Sequence, residues 1–175
     1  GIDLVFALDA SLSMMAEDER PNRLERMKQE VQRILAASRG DRVGLIAFAG
    51  RSYILTPLTV DQGALDLYLD NLDPSVVGQA GSSLSRAIRQ GTALLNASQA
   101  ESDKALVVMS DGEAFEPVEE VREAAGLARE AGIALVTVGF GTTQGANIPV
   151  REGGSTELKR DDAGNVVTTR HSPEL

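Results

Sequence analysis

The sequence predicts a single α/β domain built on a doubly wound, mostly parallel sheet with helices on both faces. Four short runs are continuously apolar, "IDLVFALD", "RVGLIAFA", "KALVVMSD" and "GIALVTVGFG", as is typical of strands covered on both faces. Segments of helical periodicity lie between these runs, and strands that alternate with helices form right-handed βαβ units. The length of 175 residues is enough for one domain of ordinary size and too short for two.

The first half of the chain supplies two of these strands, an edge strand and two helices. After "IDLVFALD", apolar residues recur on one stripe of a helix, with Asn22 as N-cap and Glu25 completing a capping box. "RVGLIAFA" is the second strand. The stretch "RSYILTPL" then favours an antiparallel edge strand, because Pro57 cannot donate to a ladder. Thr59 and Gln62 repeat the capping-box pattern before the second helix.

The second half completes the alternation and then changes in character. A third helix precedes "KALVVMSD", and a fourth runs from Pro117 to Gly132 before "GIALVTVGFG". After Gly141 the chain is polar, and "STELKR" and "NVVTTR" around "DDAGN" predict a β-hairpin. We therefore expect the domain core in residues 1–145 and a C-terminal hairpin extension of the same domain in residues 146–175.

The composition excludes several classes of function. The net charge of −9 and the pI near 4.6 leave no basic footprint for nucleic acid. Without cysteine there is no disulfide, thiolate catalyst or zinc–sulfur site, and the only histidine, His171, lies in the C-terminal tail. No apolar run reaches the roughly 18 residues of a membrane span. Because a strand begins almost at residue 1, we expect a domain excised from a longer protein.

Three polar clusters are predicted to meet at one edge of the sheet. "DASLS" (residues 9–13) follows the first strand, "GSS" (81–83) precedes the third helix, and "SDG" (110–112) follows the third long strand. Ligands of open parallel sheets bind outside the carboxyl ends of the strands. Carboxylates and hydroxyls without histidine or cysteine suit Mg²⁺, Mn²⁺ or Ca²⁺. Each cluster alone is also explained by a turn or a helix cap, so their combination carries the prediction.

These clusters resemble the metal-ion-dependent adhesion site of von Willebrand factor type A (VWA) domains, in order and spacing, over residues 2 to about 141. The shared pattern is D-x-S-x-S after a strand, a hydroxyl residue at the head of a later helix, and S-D-G after another strand. The resemblance implies an open metal position that accepts an Asp or Glu side chain of a protein partner. It also implies five metal-site residues, namely Ser11, Ser13 and Ser82 as direct ligands and Asp9 and Asp111 as holders of metal-bound water.

The two ends of the chain resemble the Bat (aerotolerance) group of bacterial VWA proteins, in particular its BatB-like members. "GIDLVFALDASLSM" and "ANIPVREGGSTELKRDDAGNVVTTR" carry this resemblance. It implies a membrane-associated bacterial stress or assembly complex, anchored in the inner membrane by flanking helices outside this chain, with the domain facing the periplasm. The implied partners are other Bat proteins or a MoxR-type AAA+ ATPase.

The chain departs from the family pattern at two positions. Ser82 replaces the usual threonine, which keeps the oxygen ligand and loses the β-branch that stiffens its rotamer. Leu12 replaces the usual glycine between the two serines, where it either crowds the open face of the metal or offers a partner an apolar contact.

We expect a non-catalytic binding module without catalytic residues, and two alternatives stay open. The first is a Mg²⁺-dependent phosphatase or phospho-acceptor domain with Asp9 as nucleophile. Phosphatases of that kind commonly need a second aspartate two positions on, where this chain has Ser11. The second alternative is a structural domain whose metal site is degenerate and empty, which the changes at Leu12 and Ser82 favour.

Overall fold

The fold is described by a computed structural model over residues 1–77, 80–113, 116–152 and 155–170. The strands are β1 (Ile2–Asp9), β2 (Arg42–Phe48), β3 (Ser52–Thr59), β4 (Asp103–Ser110), β5 (Ile133–Gly139), β6 (Ala146–Asn147), β7 (Pro149–Glu152), β8 (Ser155–Leu158) and β9 (Thr168–Thr169). The helices are α1 (Arg23–Ala37), α2 (Gln62–Asp70), α3 (Pro74–Val77), α4 (Leu84–Asn96) and α5 (Val118–Glu130), with a short 3₁₀ helix at Leu12–Met15.

The predicted doubly wound α/β class is confirmed by a five-stranded sheet of order β3-β2-β1-β4-β5. All neighbouring strands are parallel except β3, which is antiparallel to β2, as predicted for the edge strand. In the central strand β1, Leu4, Phe6 and Leu8 pack into one core with α1 and α2, whereas Val5 and Ala7 pack into a second core with α4 and α5. Burial on both faces explains why this strand is continuously apolar.

The strand β5 differs from the prediction that all four apolar runs are covered on both faces. In the described part of the chain it pairs with β4 alone and forms an edge of the sheet. Its Ala134 and Thr137 are exposed, and Val136 retains 47% of its accessible surface. Apolar composition indicates a strand correctly here, but only position in the sheet decides whether both faces are covered.

One of the two predicted helix caps is confirmed and the other is wrong. The Asn22 side chain accepts a hydrogen bond from the Glu25 amide at 2.8 Å and begins α1 as expected. The N-cap of α2 is Asp61, which accepts from the Ala64 amide at 3.1 Å. Thr59, the predicted cap, is instead the last residue of β3, and its hydroxyl accepts from the Asp61 amide at 3.0 Å.

The antiparallel strands predicted for the C-terminal extension are confirmed, with different pairing partners. The chain reverses at Asp161–Asn165, as the hairpin prediction requires. However, β8 pairs with β7, and β9 pairs with β6, so the predicted arms meet only at the Arg160–Val166 bridge and a nearby backbone hydrogen bond. Within the described ranges, no helix combines the length and the apolar character needed to cross a membrane.

The close approach of α4 to β4 depends on Gly91, and this dependence gives a first prediction. A Cβ atom at Gly91 would lie 2.5 Å from Cδ1 of the fully buried Leu106. We expect Gly91→Ala to lower the free energy of unfolding by about 1–2 kcal/mol, because overpacking at the helix–sheet contact exceeds the gain in helix propensity. Urea denaturation measures the change.

The matched control is Gly126→Ala in α5, where an added Cβ meets no atom within 4 Å. This variant gains helix propensity without a clash, so we expect it to raise the free energy of unfolding by about 0.5–1 kcal/mol. Equal stabilisation by both substitutions would contradict the close packing described at Gly91.

Candidate metal site

The five predicted site residues lie at one end of the sheet, where β1 and β4 finish and α4 begins. Asp9 is the last residue of β1, and Asp111 directly follows β4. Ser11 and Ser13 lie at the start of the 3₁₀ helix after β1, and Ser82 lies just before α4. The predicted convergence at the carboxyl ends of parallel strands is therefore the geometry found.

Asp9 has no exposed surface, and both of its carboxylate oxygens accept hydrogen bonds. The Ser11 amide donates to Oδ1 at 2.9 Å, and the Ser110 hydroxyl donates to Oδ2 at 2.5 Å. Ser110 in turn accepts from the Gly112 amide at 3.0 Å. Ser110 thus orients Asp9, a role that the D-x-S-x-S and S-D-G pattern does not indicate.

A chain of short contacts joins the serines of the first cluster to Asp111. The Ser11 and Ser13 hydroxyl oxygens lie 3.0 Å apart, and the Ser13 hydroxyl donates to Asp111 Oδ2 at 2.5 Å. The other oxygen of Asp111 accepts from the Glu113 amide at 3.0 Å. Because Ser13 gives its proton to a carboxylate, the Ser11 hydroxyl is the donor in the Ser11–Ser13 contact, and Ser13 keeps one oxygen lone pair for another electrophile.

Ser82 contributes a buried hydroxyl that makes no hydrogen bond with any residue that the structure describes. The residue is 5% exposed and lines a cavity of about 310 Å³ together with Ser11 and Ser13. The Ser83 amide holds this loop in place by donating to the Ala49 carbonyl at 2.7 Å. A buried polar atom without a partner costs free energy, so the Ser82 hydroxyl is available to a ligand in this cavity.

The electrostatics of the two aspartates favour an added positive charge. Burial, together with the nearby charge of Asp111, raises the pKa of Asp9 to about 7. Burial also raises the pKa of Asp111, against the opposing effects of the Ser13 hydrogen bond and the Arg23 charge. A cation bound between the sheet and the cavity would stabilise both ionised carboxylates.

Arg23 is a buried cation beside the site that sequence reasoning missed. Its side chain has no exposed surface, and Nη1 lies 3.1 Å from Asp111 Oδ2 and 2.9 Å from Thr169 Oγ1 of β9. Two further hydrogen bonds of 2.7 Å join the guanidinium to both carboxylate oxygens of Asp18. The sequence gives only an indirect sign of this packing, namely the glycine at position 141. Gly141 has φ +98°, and a Cβ atom there would lie only 2.5 Å from Arg23 Nε.

The donor set of the site is two carboxylates and several hydroxyls. In the described ranges, no group of three or more His, Cys, Asp or Glu side chains could together hold a metal ion. A cation here would therefore depend on serine hydroxyls and water as much as on carboxylates, which is compatible with Mg²⁺ because that ion usually keeps several waters. His171 lies outside the described residues.

Comparison with known proteins places the chain in a family. The model of the von Willebrand factor type A domain matches residues 4–113, so the chain belongs to the VWA domain family. A crystal structure of the conserved hypothetical protein BatB from Bacteroides thetaiotaomicron is 35% identical with a TM-score of 0.91, over 98% of this chain and 82% of that chain. The chain is accordingly a VWA domain of the Bat group.

Further relatives agree with this placement. The structure of an aerotolerance-related membrane protein from Bacteroides fragilis is 33% identical with a TM-score of 0.90, over the same shares of the two chains. A UPF0353 protein from Nocardia farcinica is 29% identical over an alignment of 170 positions that covers 89% of this chain and 51% of that protein. The chain spans about half the length of the curated relatives that it matches.

The ion pair between Asp18 and Arg23 predicts a pH dependence of stability. Burial opposes ionisation of Asp18, but the Arg23 charge and the hydrogen bonds from Arg23 and Thr142 outweigh it and lower the pKa of Asp18 to about 2. The lowered pKa stabilises the fold above about pH 4, the ordinary pKa of an aspartate, and this stabilisation is lost as the pH falls toward 2. Asp18→Asn should therefore cost about 1–2 kcal/mol at neutral pH and progressively less below pH 4.

Urea denaturation across this pH range measures the effect, with Asp66→Asn as the control. Asp66 is exposed on α2, so its substitution removes the same charge away from Arg23. A constant difference between wild type and Asp18→Asn from pH 7 to pH 2 would contradict the ion-pair explanation.

Proposed function

We propose that this VWA domain is a non-catalytic protein-interaction module that binds a carboxylate of its partner through a divalent cation. Ser11, Ser13 and Ser82 would hold the ion directly, and Asp9 and Asp111 would hold it through water. Mg²⁺ is the first candidate, with Mn²⁺ and Ca²⁺ as substitutes, since all three prefer oxygen ligands. When bound, the ion would supply an electrophilic position open to an outside oxygen.

The observation that carries this proposal is the orphaned Ser82 hydroxyl in the same cavity as the Ser11 and Ser13 hydroxyls. Ser13 lines this cavity and already donates its proton to Asp111, so its oxygen can act only as an acceptor toward a ligand there. Two ionised carboxylates match the charge of a dication, but the Arg23 guanidinium already offsets part of the Asp111 charge, so part of the charge of the ion would stay uncompensated at the open side. An incoming acidic side chain would complete that balance.

The partner is proposed to be a protein of the same membrane-associated assembly. The similarity to an aerotolerance-related membrane protein supports membrane association of the full-length protein. The proposal further places its anchoring helices, outside this chain, in the bacterial inner membrane and the domain in the periplasm. Other Bat proteins or a MoxR-type AAA+ ATPase that presents an Asp or Glu are the candidate partners. The excess of negative charge on this domain disfavours nucleic acid.

The environment of Asp9 disfavours the phosphatase or phospho-acceptor alternative. A nucleophilic carboxylate must expose one oxygen to the substrate, whereas Asp9 is fully buried and both of its oxygens accept hydrogen bonds. Its neighbour two positions on is Ser11, which is a poor proton relay. This geometry therefore fits a binding site better than a phosphatase or phospho-acceptor site.

Metal-dependent stabilisation tests the proposal. An ion that binds only the folded state at about 100 times its Kd adds roughly 2.7 kcal/mol, which corresponds to a rise in Tm of about 5–10 °C. We expect Mg²⁺ or Mn²⁺ to produce such a rise in the wild type, EDTA to reverse it, and Asp9→Asn or Ser82→Ala to reduce it strongly. Thermal unfolding followed by circular dichroism provides the measurement.

The matched control is Thr92→Val in α4. Thr92 also has a buried hydroxyl without a hydrogen bond, but it does not line the site cavity. Thr92→Val should keep the full metal response. If the wild type shows no metal-dependent change in Tm, the degenerate structural domain becomes the better description, and if Ser82→Ala responds like the wild type, the ligand assignment is wrong.

A further inference from the structure

The C-terminal extension forms one wall of the site cavity, although it follows all three site motifs in the sequence. Ile148, Lys159 and Val167 line the cavity together with Leu12 and the site serines. Backbone hydrogen bonds fix this wall, from the Lys159 amide to the Ile148 carbonyl at 2.8 Å and from the Val167 amide to the Lys159 carbonyl at 2.9 Å. Backbone hydrogen bonds therefore connect the residues of this wall to one another.

Among the lysines, Lys159 is the one whose side chain has no polar partner in the described part of the chain. The sequence contains three lysines. Lys28 pairs with Glu25 at 3.1 Å, and Lys104 donates to the Ser98 carbonyl at 3.2 Å. Lys159 is half-buried, and its ammonium group makes no hydrogen bond or ion pair with any described residue. A positive charge held in a cavity without a counter-charge in contact favours an acidic ligand.

The other lining groups define the rest of that ligand. Leu12, Val167 and the 3% exposed Ile148 give the cavity an aliphatic side. Glu113 is the acidic residue on the cavity lining, and its carboxylate accepts from the Arg170 amide at 2.8 Å. Serine side chains, Lys159, Glu113 and aliphatic side chains thus surround one space of about 310 Å³.

We propose that Lys159 is a second anchor for the partner's carboxylate, and that Leu12, Ile148 and Val167 bind an aliphatic side chain next to it. This inference rests on the proposed function and narrows the partner to a protein segment in which Asp or Glu adjoins Leu, Ile or Val. Charge favours this occupant although Glu113 also lines the cavity, because the Glu113 carboxylate accepts a hydrogen bond from the Arg170 amide whereas the Lys159 side chain pairs with no acidic group among the described residues. Leu12 then becomes a specificity residue in place of the small residue usual at that position.

Small carboxylates can test this proposal without knowledge of the partner. Nuclear magnetic resonance titrations of the chain, with saturating Mg²⁺ and in EDTA, would compare 4-methylpentanoate with acetate and with the neutral 4-methylpentanamide. We expect 4-methylpentanoate to bind most tightly, since it offers both a carboxylate and a leucine-like chain, and to shift resonances of the cavity residues. Lys159→Met should weaken its binding about fivefold and leave the amide unaffected.

Two variants separate charge from structure. Lys159→Arg keeps the charge and should retain most of the affinity for 4-methylpentanoate. Arg160→Met removes the same charge one residue further on, where the side chain donates to the Gly164 carbonyl at 2.8 Å and does not line the cavity, so its affinity should match the wild type. Thermal unfolding of each variant verifies the fold.

The outcomes distinguish this inference from the proposed function. If metal raises the Tm but Lys159→Met binds 4-methylpentanoate as tightly as the wild type does, the inference is overturned and the metal site stands. If metal has no effect on the Tm but a carboxylate binds in EDTA in a Lys159-dependent manner, the anchor stands and the metal proposal fails. Equal binding of the carboxylate and the amide overturns the anchor in either case.

Discussion

The removal of two neighbouring carboxylates from water is the constraint around which the end of the sheet is organised. Asp9 and Asp111 have no exposed surface, and each lost hydration contact has to be replaced by a donor from the protein. Backbone amides, the hydroxyls of Ser13 and Ser110, and the Arg23 guanidinium are those donors. The compensation is incomplete, because the pKa of both carboxyl groups remains raised.

Arg23 connects this constraint to the C-terminal extension. The same guanidinium contacts Asp111 on the core, Asp18 in the loop before α1, and Thr169 on β9. The extension is thereby attached to the charged centre of the site as well as to the rest of the fold. The match to the BatB structure covers 98% of the chain, so this extension is part of the shared architecture.

The sequence was sufficient for the features that depend on local pattern. Continuous apolar runs predicted the strands, and the position of three polar clusters at strand ends and a helix start predicted that the clusters meet, because parallel strands end on one side of a sheet. The resemblance to VWA domains then singled out Asp9, Ser11, Ser13, Ser82 and Asp111 within these clusters. Local patterns could not identify the contacts between residues that lie far apart in the sequence. Arg23 follows a helix cap, where an arginine is ordinarily solvated. Lys159 lies in a polar segment, and no periodicity in that segment indicates that it packs against the site. The exposure of β5 likewise follows from sheet order, which apolar composition does not encode.

Because β5 lies at an edge of the sheet, we expect the self-association of the domain to depend on the net charge of the domain. The seven residues Ile133–Gly139 present a row of backbone donors and acceptors beside exposed apolar side chains, and they contain neither lysine nor proline to deter a second strand. Mutual repulsion between copies that each carry a charge of −9 opposes such edge-to-edge pairing. Since dissolved salt shortens the range of that repulsion, concentrated salt removes the barrier that keeps separate molecules apart.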